Sequence, residues 1–309
     1  MEVHPAKRRE FTDFSPNPGN WPAGCIGPGT WTPRIPAVAA TGIADILARL
    51  RSRAQAVRVR CIALPPVAPS RIAALARQAG GLPDELDELL AITSGLQFGP
   101  YLLGFSGGLK VAESPPPGHS PWRLFPRRLQ LGNSDGGMRC FADLGRPHLP
   151  TAPVFGLSPA PPVVVLLAPS IASFLVSVAR AMPAKGDGSE WDFDPISPIA
   201  NTQLRQAGAQ RSDVGVHSEG QVRRLADPVL TAYQAQLPSR TRICDLRTLE
   251  PGSCFAWADR RQVNQFHRHP SELIFGFTEV RRWWRPTAVF LGRASKLECK
   301  RWLRDFDLE

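Results

Sequence analysis

One short stretch carries the pattern of a hydrolase nucleophile. Residues Gly104 to Gly108 read Gly-Phe-Ser-Gly-Gly, which matches G-x-S-x-G with Ser106 as the nucleophile. That motif requires a strand before the serine and a helix directly after it. Two glycines follow Ser106 and start a helix poorly, and spacing ties neither His119 nor His148 to the serine. The alternative is a glycine-rich turn between strands, which we favour.

Two further groups have residue types suited to acid–base or metal chemistry. His267 and His269 flank Arg268, so on a strand they would share a face. No carboxylates stand in a matching register, and we expect both histidines at the surface. Asp135 and Asp143 are a candidate pair of acids, but Asp135 precedes two glycines, as is typical of a turn. We expect neither group to be catalytic.

The cysteines show no spacing typical of a metal site. A zinc site built from Cys244, Cys254, His267 and His269 would lack finger or ribbon spacing. Scattered cysteines without a C-x-x-C pair indicate free thiols in a reducing cytoplasm. We therefore expect no metal, no cofactor and a cytoplasmic location. The six cysteines are Cys25, Cys61, Cys140, Cys244, Cys254 and Cys299.

The densest cationic and aromatic cluster runs from Arg281 to Arg285 and reads Arg-Arg-Trp-Trp-Arg. Tryptophan with arginine is typical of nucleic-acid stacking sites and of protein interfaces. On a strand, Trp283 and Trp284 would point to opposite sides, so one of them would be core. Three interpretations stay open: a core tryptophan among solvated arginines, a protein interface, or a nucleic-acid-binding module.

Composition sets the frame for these residues. The chain has 309 residues, 43% of them hydrophobic, which is ordinary for a globular protein with a buried core. Its net charge of +10 suits nucleic acid, an anionic membrane or an acidic protein. Its 32 prolines predict long, stiff loops. No apolar stretch follows Lys7 to Arg9, so we expect no secretory signal.

The segment Val163 to Ala179 is the one candidate for a membrane span, because it is strongly apolar and nearly long enough. Pro169 interrupts it. We therefore expect a buried strand over 163–167 and then a helix with Pro169 in its first turn. A membrane is not expected as a partner.

Hydrophobic periodicity and turn signals divide the rest of the chain into elements. They predict helices over 43–56, 70–79 and 83–94, with further helices capped by Asp227 and Ser295. They predict strands over 57–64, 101–105, 109–112, 129–131, 138–144, 154–157, 254–257, 273–277 and 288–291. The predicted organisation is an extended arm over 1–40, a mixed domain over 41–183, a linker over 184–220 and a C-terminal α+β domain over 221–309.

Three segments share the pattern of one family. They are Leu82 to Leu90 followed by Ser94-Gly95, Leu129 to Gly137 followed by Phe141 to Leu144, and Val154 to Val178. These segments resemble the opening helix, the central hairpin, and the last strand with the final helix of the SUKH superfamily, the Smi/Knr-type domains. The resemblance covers about a third of the chain.

The resemblance implies an α+β fold, with a mixed sheet flanked by helices. The C-terminal part has no counterpart in this family, and its own pattern predicts a smaller α+β unit. Bacterial members are mostly immunity proteins of polymorphic toxin systems. They sit in the cytoplasm and bind a cognate toxin delivered by contact-dependent or type VI secretion. The implied partner is therefore a protein rather than nucleic acid, and no catalysis is implied. A positive inhibitor fits an acidic toxin, or one held by the acidic residues Asp84, Glu85, Asp87 and Glu88.

Rigid aromatic and arginine anchors indicate where such a partner would bind. One place is a proline-stiffened loop around residue 122, where a rigid backbone lowers the cost of ordering. The other is the C-terminal cluster, where Trp284→Ala or Arg285→Glu should weaken toxin binding by roughly 2 kcal/mol. The predicted partner-binding residues are Trp122, Arg123, Asp135, Arg282, Trp284 and Arg285.

Overall fold

A computed structural model describes residues 42–112, 120–146, 149–159, 162–183, 192–209, 216–239, 241–248, 254–256 and 265–278. The helices in these ranges are α1 (Ile43–Ala56), α2 (Pro69–Ala79), α3 (Asp84–Ile92), α4 (Ile171–Ala181), α5 (Ser197–Ala209), α6 (Glu219–Leu225) and α7 (Pro228–Ala235), with a 3-10 helix at Pro121–Leu124. The strands are β1 (Ile62–Ala63), β2 (Gly95–Phe98), β3 (Tyr101–Gly104), β4 (Leu109–Val111), β5 (Arg127–Asn133), β6 (Arg139–Asp143), β7 (Val154–Pro159), β8 (Pro162–Ala168), β9 (Val216–His217), β10 (Thr241–Asp245), β11 (Cys254–Ala256), β12 (Gln265–Arg268) and β13 (Ile274–Thr278).

The strands form three sheets. A central sheet has the order β11-β8-β7-β6-β5-β4, a second sheet has the order β12-β13-β10-β9, and a small sheet has the order β1-β2-β3. The α+β class is confirmed. The prediction of a mixed sheet needs correction, because every described strand pair is antiparallel. From β5 to β8 the strands follow one another through short connections, which produce antiparallel neighbours.

Helices cover one face of the central sheet. Alternate residues of β5, Leu129 and Leu131, point into a core that they share with Leu50 of α1, Leu89 of α3 and Phe174 of α4. All five side chains are almost fully buried. Because side chains alternate across a strand, the residues between them point to the opposite face.

The opposite face packs against the second sheet through an aromatic core. Phe141 of β6 and Phe155 of β7 meet Phe275 of β13 there, with Phe125 between them. The ring centres of Phe125 and Phe141 lie 4.7 Å apart, and those of Phe125 and Phe275 lie 5.4 Å apart. Aromatic pairs at such distances and steep angles stabilise a core beyond their buried area.

Helices α6 and α7 cover the outer face of the second sheet. Val222 and Leu230 of these helices pack with Ile243 of β10 and Ile274 of β13. The described part of the chain is therefore layered as helices, central sheet, second sheet and helices.

The segment predicted as a linker, 184–220, contains folded structure. It includes α5, whose Ile199 and Leu204 are buried in the core on the helical face of the central sheet. The segment holds few large aliphatic residues, but Ile196, Ile199 and Leu204 are buried by tertiary contacts. Strand β11, from the predicted C-terminal domain, pairs with β8 through Cys254 and Val165. The domain boundaries themselves stay a prediction.

The predicted strand and helix around Pro169 both form, as β8 and α4. Ser170 is the N-cap of α4, and its hydroxyl accepts the Ser173 N–H at 2.9 Å, so Pro169 precedes the helix rather than entering it. No helix in the described ranges is both long and apolar enough to cross a membrane. The predicted arm over 1–40, the strand over 288–291 and the last helix lie outside the described residues.

Candidate partner-binding surface

The predicted anchor Trp122 lies in the 3-10 helix, at the margin of the aromatic core. Leu124 and Phe125 at the end of this helix are fully buried and fix it in place. Trp122 itself is half-buried, with its ring 5.4 Å from Phe141 in an edge-on arrangement. One side of the indole is therefore held by the core, while part of it stays accessible.

An arginine covers the accessible side of that ring. The guanidinium carbon of Arg128 lies 4.2 Å from the centre of the Trp122 ring, and that of Arg139 lies 5.7 Å from it. Nη1 of Arg128 donates to the carbonyl oxygen of Phe125 at 2.9 Å, which fixes the orientation of the guanidinium. A cation over a tryptophan face at these distances is attracted by the ring.

Strand register brings a third cation to the same face. Lys110 of β4 lies opposite Arg128 of β5, and Arg128 lies opposite Asp143 of β6. Arg139 is four residues before Asp143 on β6 and therefore shares its face. We call Lys110, Trp122, Arg128 and Arg139 the cationic platform.

The charges of the cationic platform are not neutralised by the described part of the protein. No carboxylate in the described ranges forms an ion pair with Lys110, Arg128 or Arg139. The pKa of the Arg128 guanidinium is lowered, mainly by burial and to a smaller extent by the positive charge of Arg139. The less exposed Arg247 and Arg268 are instead paired with carboxylates of the same chain. The cationic platform is thus a concentration of positive charge that an external anion would stabilise.

Arg123, the second predicted residue of this loop, is half-buried beside the second sheet. Burial first, and the charge of Arg123 second, lower the pKa of His267 to about 4. Arg123 therefore faces the second sheet, whereas Lys110, Arg128 and Arg139 of the cationic platform lie on the central sheet.

The predicted contact residue Asp135 lies in the turn between β5 and β6, just beyond the pair formed by Asn133 and Arg139. It is exposed, it accepts a hydrogen bond from the Tyr101 hydroxyl, and its backbone N–H donates to Oδ2 of Asp194 at 3.1 Å. The hydrogen bond to Asp135 is the main reason that the pKa of Tyr101 is raised to about 12. Asp143 is instead fully buried in an ion pair with Arg268, so the two aspartates do not form a pair of acids.

A cleft of about 510 Å³ lies beside the C-terminal half of β5. Its walls include Tyr101, Ser106, Gln130 and Asn133, and no charged side chain lines it. Gln130 donates to the side-chain oxygen of Asn133 at 3.0 Å. The cleft is therefore uncharged, and its lining is more apolar than polar.

Ser106 does not occupy a nucleophile elbow. It lies in the turn between β3 and β4, and strand rather than helix begins at Leu109. This is the glycine-rich turn that we favoured from the sequence. The described ranges therefore lack the strand–turn–helix context that the motif requires.

His267 and His269 are buried, so the expectation that they lie at the surface is wrong. Nε2 of His267 is 3.1 Å from the Thr278 hydroxyl, and Nδ1 of His269 accepts the Glu272 N–H at 3.0 Å. β12 is the edge strand of the second sheet in the described ranges, and packing of α7 on that face, such as Tyr233 against His269, buries the two rings. The short polar sequence does not reveal this packing. His267 faces α7, whereas Cys244 faces the aromatic core. The described residues contain no group of three metal-binding side chains.

The acidic stretch at the start of α3 is partly used inside the protein. Glu85 is buried, and its carboxylate accepts the N–H groups of Ala152, Ile171 and Ala172 at 2.6, 3.0 and 3.0 Å. It thereby satisfies free N–H groups at the start of α4. Glu88 accepts the Ile43 N–H at 3.0 Å. Glu85 is therefore unavailable to a partner.

The remaining predicted contacts, Arg282, Trp284 and Arg285, lie outside the described residues and stay a prediction. Sequence reasoning missed Arg128 and Arg139. The alternation of Arg128 and Gln130 with Leu129 and Leu131 was a usable signal that Arg128 and Gln130 share the face opposite the leucines. The register of the hairpin has an irregularity between Gln130 and Gly132. This register determines which side chains of β6 lie beside Arg128 and Gln130 on that face.

Comparison of the chain with models of protein families, with curated proteins and with solved structures finds no match.

Proposed function

We propose that this protein is a cytoplasmic immunity protein that binds a cognate secreted bacterial toxin and neutralises it by occlusion. The resemblance to the SUKH superfamily supports this proposal. The segments that carry the resemblance correspond to α3, to the hairpin of β5 and β6, and to β7, β8 and α4. Cys61 and Cys140 are free thiols, which suits a reducing compartment.

The cationic platform is the observation that carries the proposal. Tryptophan and arginine are the residues most enriched among the hot spots of protein interfaces. Here Trp122 is braced by Phe141, and Arg128 is held by the carbonyl oxygen of Phe125. Because both side chains are already ordered, a partner would bind them with little further loss of conformational freedom.

Occlusion needs a broad contact rather than chemistry. A stable interface covers about 800 Å² on each partner. The cationic platform would form the anchor of such an interface, with the neighbouring cleft and the exposed Leu102 beside it. The residues of this chain would then act by covering the toxin's working surface, and none of them would need to react.

Co-expression tests the proposal directly. The proposal predicts a toxin domain encoded beside this protein. That domain is expressed in cells with the wild-type chain, or with the variant Arg128→Glu/Arg139→Glu. We expect protection by the wild type and loss of protection by the variant. The matched control is Arg49→Glu, because Arg49 is an exposed arginine of α1 on the helical side of the central sheet. Failure of the wild type to protect would contradict the proposal.

A further inference from the structure

The cationic platform and the cleft are joined along strand β5. Arg128 and Gln130 are two residues apart and share a face, and Gln130 also lines the cleft. Asn133, at the end of the strand, lines it too. From Arg128 to Asn133 an extended strand rises about 17 Å. We call this continuous surface the β5 groove.

The two ends of the β5 groove carry opposite charges. Lys110 and Arg128 stand at one end. The backbone of Arg139 lies opposite Asn133, but its guanidinium reaches back to within 5.7 Å of the Trp122 ring at that same end. At the other end Tyr101 lines the cleft and donates to Asp135, which in turn binds Asp194 through its backbone N–H. The walls between these ends are uncharged. A bound chain would therefore meet the guanidinium and ammonium groups at one end and the carboxylates of Asp135 and Asp194 at the other.

The cleft part of the β5 groove has room for a polypeptide backbone. A Cβ atom placed on Gly104 or on Gly107 would have no other atom within 4 Å. The side chain of Leu102, also in the wall, is 50% exposed and offers an apolar contact. An extended segment can approach glycine closely, because no side chain keeps it away.

We propose that the β5 groove binds an extended segment of the partner that carries a block of acidic residues at one end. Its carboxylates pair with Arg128, Arg139 and Lys110, and its backbone lies in the cleft. The end near Asp135 takes neutral or basic residues. This inference rests on the proposed function, since it names the part of the toxin that is recognised.

The geometry favours an acidic protein segment over a nucleic acid. Nucleic acid binding without sequence preference uses free aromatic faces for base stacking and cations along the whole backbone. Here Arg128 covers the accessible face of Trp122, and Phe141 braces its other side. A phosphate chain that continued along the groove would also run toward Asp135 and Asp194. A locally acidic segment avoids that repulsion.

Fluorescence anisotropy with a labelled peptide tests this inference. The probe is an oligoglutamate block followed by a glycine–serine tail, titrated with the full chain at low salt. We expect binding that Arg128→Glu/Arg139→Glu weakens about tenfold or more, while Arg49→Glu leaves it unchanged. Where the double glutamate variant fails to fold by circular dichroism, Arg128→Gln/Arg139→Gln replaces it.

A second variant tests the opposite end of the groove. Asp135→Lys should tighten binding of a uniform oligoglutamate peptide severalfold and leave the probe with a neutral tail unchanged. Equal binding of the probe by the wild type and the platform variants would overturn the inference. Tighter binding of a single-stranded DNA of equal charge would also overturn it.

The peptide titration and the co-expression test can each give a negative result independently of the other. If the protein protects cells but does not bind the peptide, the proposal of an acidic segment is wrong and the proposed function still stands. If the protein binds the peptide but does not protect cells, the proposed function is contradicted.

Discussion

The guanidinium of Arg128 lies 4.2 Å above the ring of Trp122, only six residues earlier in the chain. The 3-10 helix supplies the ring and also the Phe125 carbonyl that holds the arginine. A segment of seven residues, from Trp122 to Arg128, therefore builds the central pair of the cationic platform. The aromatic core between the two sheets gives it a rigid base.

We expect this pair to contribute measurably to stability. A double-mutant cycle with Trp122→Leu, Arg128→Met and the combined variant should give a coupling free energy of about 0.5–1 kcal/mol. Each single substitution already abolishes the attraction between the guanidinium and the ring, so the double variant loses it only once. Urea unfolding of the four proteins measures it. Additive effects of the two substitutions would show that the stacked geometry carries no energy.

The buried ion pair of Arg268 and Asp143 joins β12 of the second sheet to β6 of the central sheet. Their closest atoms are 2.8 Å apart, and the side chains are 8% and 0% exposed. Asp143→Asn would leave a buried cation without its counter-charge, so we expect unfolding free energy to fall by about 3–5 kcal/mol.

The control for that substitution is Glu219→Gln, which breaks the exposed pair with Arg223 on α6. It should cost about 0.5 kcal/mol or less. Denaturant unfolding compares the two variants. Equal losses would contradict the structural role that we assign to the buried pair.

The sequence predicts elements best where apolar residues recur at a regular spacing and so form a single buried face. The helix expected over 43–56 is α1 with the same bounds, because Ile43, Ile46, Leu47 and Leu50 form one buried stripe. The hairpin of β5 and β6 was predicted from its turn. The strand expected over 57–64 shortens to β1, because Arg58 adopts a left-handed backbone with φ of 59°.

Short polar elements could not be predicted, since tertiary contacts define them. Strand β12 has only four residues, and it buries His267 because β13 lies beside it. Trp122 was predicted to be an anchor from composition and loop stiffness alone. Its arginine partner depends on the strand register, which no local pattern specifies.

Acid should destabilise the second sheet. Burial above all lowers the pKa of His267 and of His269 to about 4, whereas an unfolded histidine titrates near 6.5. Between these values the unfolded chain binds more protons, so stability is complete above pH 6.5 and falls as the pH drops toward 4.

We expect a loss of about 2 kcal/mol per histidine between pH 6.5 and pH 5. Urea unfolding at both pH values measures it. His267→Gln and His269→Gln should each flatten the pH dependence, even where they lower stability at pH 7. A slope unchanged in both variants would exclude these histidines as its source.

Two neighbouring glycines in the turn before β4 should respond differently to alanine. A Cβ on Gly108 would overlap the carbonyl oxygen of Gln130, whereas a Cβ on Gly107 would meet no atom within 4 Å. We expect Gly108→Ala to lower the melting temperature by several degrees, because β4 must move away from β5. Gly107→Ala should leave it nearly unchanged, and the reverse order would contradict the described packing.

The affinity of the purified protein for the adjacent toxin domain tests the central claim most directly. Isothermal titration calorimetry compares the wild type, Arg128→Glu/Arg139→Glu and the control Arg49→Glu, with melting temperatures recorded for each. We predict tight binding by the wild type and the control, and binding at least about tenfold weaker for the platform variant at an unchanged melting temperature. Equal affinity of all three proteins, or no binding by the wild type, would contradict the account.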